Sequence, residues 1–138
     1  MRALVFTDTQ SKDLFKTWKR IYRAALKQQP GADFSTALGD LGDMGSKLGC
    51  WEDWFAAVRP GAMSQPIAPE MGNHECYRMR PGERHFSRTF PAPYLEFFTV
   101  PGNGVPGLER WFYTFDSGPV HFVVLNTQWL DAKDFRPG

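Results

Sequence analysis

The chain has 138 residues, 42% hydrophobic and 22% charged, with a formal net charge of +1. That length suits one domain with one core, and the near-neutral balance, with no long Lys/Arg run, argues against a nucleic-acid or membrane-surface protein. No apolar run approaches the ~18 residues of a transmembrane helix, and two cysteines, Cys50 and Cys76, without C-x-x-C spacing define neither a disulfide scaffold nor a redox compartment.

"RALVFTD", residues 2–8, is an apolar run broken at Asp8. It falls short of the roughly 7–15 apolar residues of a signal peptide, so it reads as a strand and favours a cytoplasmic location. In "SKDLFKTWKRIYRAALKQQPG", residues 11–31, Leu14, Phe15, Trp18, Ile21, Tyr22 and Ala25 recur at helical spacing. Ser11 can cap this helix, and Pro30-Gly31 stop it. "DFSTALGD", 33–40, reads as the second strand. "LGCWEDWFAAVRPG", 48–61, puts Trp51, Trp54, Phe55 and Val58 on one face of a second helix, stopped by Pro60-Gly61. "PIAPEMGN", 66–73, reads as a weaker third strand, because Pro69 removes a ladder donor.

This alternation predicts parallel strands joined by helical crossovers. Residues 76–108 then read as a long irregular stretch rich in Pro, Gly and Arg, of the kind used as binding loops or lids. "ERWFYTFD" and "VHFVVLNT", joined by "DSGP", predict a β-hairpin. "QWLDAKDFRPG", from residue 128, looks like the beginning of a helix.

Ligands in open parallel sheets bind beyond the carboxyl ends of the strands. Each of the three strands ends in oxygen donors: Asp8, then Asp40 and Asp43 in "GDLGDMG", then Asn73 followed by His74. Neighbouring strands lie ~4.8 Å apart, so these side chains can converge on two metals ~3.5–4 Å apart if one carboxylate bridges them. The plain alternative is that Asp and Asn begin turns and cap helices, with Gly72-Asn73 a turn and His74 on its shoulder.

"D-x-Q" at 8–10, "G-D-x-x-D-x-G" at 39–45 and "G-N-H-E" at 72–75 resemble the first three signature blocks of the calcineurin-like metallophosphoesterases. That superfamily includes purple acid phosphatases and many bacterial phosphodiesterases. "WFYTFDSGPVHFVVLNT" is similar to the strand pair that follows those blocks. The resemblance implies an α/β fold: the N-terminal part of an α/β/β/α sandwich, built as βαβαβ followed by a β-hairpin, with residues 1–138 a single domain cut short at its C-terminus. It implies that Asp8 holds the first metal, Asp40 bridges two, Asn73 holds the second, and His74 contacts phosphate and protonates the leaving oxygen. It further implies two metal ions (Mn, Fe or Zn) and hydrolysis of phosphate mono- or diesters by a metal-bound hydroxide.

Three features depart from the family pattern. Gln10 stands where many members have a His ligand. Asp43 stands where purple acid phosphatases have a tyrosine ligand, and reads as a turn former or a group behind the ligands. The later G-H and G-H-x-H blocks are not in the chain. His85, beside Arg80, Arg84 and Arg88, belongs either to a solvated basic loop or to a lid facing substrate, and His121 reads as a core or hydrogen-bonded strand histidine. Two readings therefore stand: part of a phosphoesterase, or a degenerate, non-catalytic metal-binding or interaction domain. An uncovered sheet face in either case predicts self-association through exposed core.

Overall fold

Ala3–Phe6 (β1), Phe34–Leu38 (β2) and Ile67–Glu70 (β3) pair in parallel, in the order β1-β2-β3. The computed structural model describes residues 1–128, so the helix expected from residue 128 lies outside the described residues. Register puts Phe6 beside Ala37 and Val5 beside Thr36. One sheet face thus carries Leu4, Phe6, Ser35 and Ala37, and the other carries Val5, Phe34, Thr36 and Leu38, because side chains alternate along a strand.

The first face is covered by the helices Lys16–Gln28 (α1) and Leu48–Ala62 (α2). Phe6 meets Trp18 and Tyr22 of α1 edge-on, and Trp51, Trp54, Ala57 and Val58 of α2 are all buried. A short helix, Ala92–Phe97 (α3), closes this core by placing Tyr94 and Phe98 against Trp51. β3 lies at the sheet edge, as its proline requires. The Pro69 carbonyl accepts the Tyr94 and Tyr113 hydroxyls at 3.2 and 2.6 Å.

α1 begins later than the periodicity suggests. Leu14 and Phe15 take left-handed φ values of 57° and 58°, a kink that buries Phe15 and leaves Leu14 outside with Ile21. The capping group is Asp13, not Ser11: its carboxylate accepts the Thr17 amide and hydroxyl at 2.9 and 2.6 Å. Hydrogen bonds from Ser11 and Thr17 hold its carboxyl at about 2.

α2 runs through Pro60-Gly61 instead of stopping there. In a last turn Pro forfeits a single amide bond. Gly61 is a packing residue, since a Cβ there would sit 2.4 Å from Leu26 Cδ1 and 2.7 Å from the Tyr22 ring. Its missing side chain is what lets α1 and α2 approach.

The stretch 76–108 is more ordered than its composition suggests. Beside α3 it holds a small antiparallel hairpin, Tyr77–Arg78 (β4) with Ser87–Arg88 (β5). Tyr113–Ser117 (β6) and Val120–Val124 (β7) form the expected second hairpin, as a sheet of their own. It stacks on the outer face of the parallel sheet, with Phe115 and Phe122 edge-on to Phe34. His121 is exposed and bonds Asp116 at 2.6 Å, so it is a hydrogen-bonded strand residue and not a core one. Cys76 is a packed thiol 3.9 Å from Met71 Sδ, and burial pushes it up to about 11.

The hairpin covers the outer face only in part, leaving Val5 and Leu38 exposed, and Val123 of the hairpin and Leu125 just after it are exposed as well. The isolated chain is expected to self-associate through this surface. Sedimentation velocity over a concentration series checks it, and a monomer at every concentration contradicts it. No helix among the described residues is long and apolar enough to cross a membrane.

Candidate functional site

The loops that leave β1, β2 and β3 are tied into one unit. Asp8 N–H donates to the Gly39 carbonyl at 3.2 Å, and Gln10 N–H to the Asp40 carbonyl at 3.1 Å. The buried Thr9 hydroxyl bridges these loops to α2 by donating to the Leu41 carbonyl and accepting from Trp54 Nε1. Asp8 and Asp40 both sit in the left-handed region, with φ 51° and 52°. Aspartate tolerates that conformation at some cost, and here the flanking bonds impose it.

The second tie is Glu75, which is fully buried. Its carboxylate accepts three backbone amides: Asp40 and Gly72 on Oε2 at 2.9 and 2.7 Å, and Leu41 on Oε1 at 2.9 Å. Burial pushes this carboxyl above its ordinary range, opposed by the three N–H groups. The result clamps the loop after β2 to the loop after β3. Gly72 is required by the same approach, because a Cβ there would lie 2.2 Å from Asp40 Oδ1.

Asp8, Asp40 and Asn73 share an open cleft of about 170 Å³, bordered by Gly39, Gly72 and Glu70. Asp8 also accepts a short hydrogen bond from the Thr7 hydroxyl. Asp40 Oδ1 accepts the His74 amide at 3.0 Å, which joins His74 to the cleft through the backbone. The His74 ring is oriented by Asp43, through its carbonyl and not its carboxylate: Nδ1 lies 2.7 Å from that oxygen. A carbonyl only accepts, so Nδ1 carries the hydrogen and Nε2 is left for other partners. Gln10 places Oε1 in a buried position with no hydrogen-bond partner among the described residues. His85 and Arg88 are exposed on the β4–β5 hairpin and do not line the cleft.

The donors that converge are all oxygens, with two carboxylates and one amide. Among the described residues no group of three His, Cys, Asp or Glu side chains is placed to hold a metal. Carboxylate and carbonyl oxygens suit Mg- or Mn-like cations better than soft ones. Asp8, Asp40 and Asn73 border the cleft, and Gln10 does not line it.

Residues 1–134 match the sequence profile of the calcineurin-like phosphoesterases. The chain belongs to that family. Among curated proteins it is similar to a probable inactive purple acid phosphatase 9 of Arabidopsis thaliana, 26% identical over 129 residues, covering 78% of this chain and 19% of that protein. It is also similar to purple acid phosphatase 23 of the same plant, 33% identical over 75 residues, covering 54% and 15%. A purple acid phosphatase from yellow lupin (Lupinus luteus) seeds superposes with a TM-score of 0.70 at 19% identity, over 89% of this chain and 23% of that one. This likeness establishes the shared α/β fold with its parallel sheet. The chain spans about a fifth of the length of the curated relatives it matches. The family is named for its action on phosphoesters.

The residue missed from sequence is Glu75. It stands inside the G-N-H-E block, but nothing in the spacing distinguishes a buried, triply bonded glutamate from a solvated one.

Proposed function

We propose that the Asp8–Asp40–Asn73 corner binds divalent metal and presents a phosphate ester to His74, as part of a hydrolytic site for phosphate mono- or diesters. The convergence of side chains from three successive strand ends on one cleft carries this reading. Asp8, Asp40 and the Asn73 amide oxygen would hold the metal, with Asp40 placed between the other two in strand order. Divalent ions held there would lower the pKa of water and offset charge developing on phosphorus. The chain's own groups do the rest. Glu75 and Gly72 fix the Asp40 loop against the Asn73 loop. The Asp43 carbonyl holds the His74 ring through Nδ1–H, and in the imidazolium form Nε2–H donates to a phosphate oxygen or to the leaving oxygen.

A second reading is a metal-binding domain without hydrolytic activity. It is favoured by one relative that bears the name of an inactive phosphatase. Incubation with Mn²⁺ and generic phosphate mono- and diesters decides between them. Hydrolysis abolished by Asp40→Asn supports the first; metal binding with no hydrolysis of any ester supports the second.

A further inference from the structure

The β4–β5 hairpin rises directly from the G-N-H-E block and carries an arrangement that the hydrolytic reading leaves unused. Tyr77 and Phe86 stack face to face, with centroids 5.3 Å apart and planes within 7°. Tyr77 in turn lies 5.0 Å from the His74 ring, and Phe86 lies 6.4 Å from it. Phe86 is 50% exposed, so it is not held there by burial in the core. The same twelve residues, 77–88, carry Arg78, Arg80, Arg84 and Arg88 against a single acid, Glu83.

We infer that Tyr77 and Phe86 form an aromatic shelf beside His74 that selects aryl phosphates, esters whose leaving group is a planar ring carried directly on the ester oxygen. This rests on the phosphoester reading above and names the substrate class within it. Geometry favours a ring in that position. An ester oxygen within ~3 Å of His74 Nε2 brings the attached ring to roughly the distance at which Phe86 stands from the imidazole. Aromatic rings pair best at centroid separations of ~4.5–7 Å. A nucleoside base, held off by its sugar, reaches beyond that span. The excess of arginines on the hairpin favours an anionic ligand over a neutral one.

The test uses the full chain with Mg²⁺, a diamagnetic cation that suits the same oxygen donors, and follows phenyl phosphate and methyl phosphate by NMR titration. Phenyl phosphate is expected to bind about 3–10-fold more tightly, the gain typical of one stacked aromatic pair, with its ring protons shifted upfield. Phe86→Ala and Phe86→Leu should bring the two affinities together, and Phe86→Tyr should keep them apart. Phe86→Leu retains apolar volume without a flat face, so it separates stacking from hydrophobic contact. Equal affinities in the unmutated chain, or a preference that survives in Phe86→Ala and Phe86→Leu, overturn the shelf alone. Failure of both esters to bind overturns the phosphoester reading, and the shelf with it.

Discussion

Glu75→Ala should destabilise the fold by about 3–5 kcal/mol, more than any other single change near the cleft. Each buried donor left without an acceptor costs about 1–3 kcal/mol, and this change orphans the amides of Asp40, Leu41 and Gly72 together. Water entering the vacated space recovers part of that cost, which is why the sum is not simply threefold. Domains of this kind are held by only about 5–15 kcal/mol, so the variant should lie close to the unfolding threshold. Glu75→Gln is the informative partner. It preserves volume but turns one acceptor oxygen into a donor facing a backbone N–H, and should cost about 1–3 kcal/mol. Urea denaturation of the three proteins checks the order, and a Glu75→Ala midpoint equal to that of the unmutated chain contradicts it.

His74→Ala should reduce ester hydrolysis by about 10²–10⁴-fold, the range for a lost general acid, while bound metal changes little. The two effects separate because of how His74 is attached. Asp40 Oδ1 is held by the backbone amide of residue 74, which alanine keeps. The ring is held by the Asp43 carbonyl and contributes nothing to the donor corner. Turnover and metal content measured on the same preparation test this. Parallel loss of both would make His74 a ligand, and unchanged turnover would remove its role.

Much of the scaffold was legible because it is written in short-range patterns. The three strands, both long helices and the β6–β7 hairpin follow from periodicities of two and 3.6, with Gly and Pro as punctuation. What escaped depends on partners distant in sequence. Gly61 looked like a helix stop, and only the approach of Leu26 and Tyr22 reveals it as a crossing point. Ser11 reads as the cap, but the left-handed pair Leu14-Phe15 starts the helix later and leaves Asp13 to accept the Thr17 amide. The segment 76–108 lacked apolar periodicity because its hairpin strands are two residues long and its helix six. At the site, oxygen donors at strand ends could be read from position alone. The Glu75 clamp, and Asp43 acting through its carbonyl, could not, since backbone partners leave no trace in side-chain identity.

The proposed metal-binding corner depends on Asp40. Its most direct test is the melting temperature of the unmutated chain and of Asp40→Asn, each with and without excess Mn²⁺, with bound Mn²⁺ measured alongside. A ligand that binds only the folded state stabilises it by about 2.7 kcal/mol at a hundred times its Kd. The unmutated chain should therefore melt several degrees higher with Mn²⁺ and retain the ion. Asp40→Asn keeps an oxygen for the His74 amide but loses the charge, so it should stay folded, retain no Mn²⁺ and show no shift. Equal shifts in the two proteins, or no shift and no retained Mn²⁺ in the unmutated chain, would contradict the assignment.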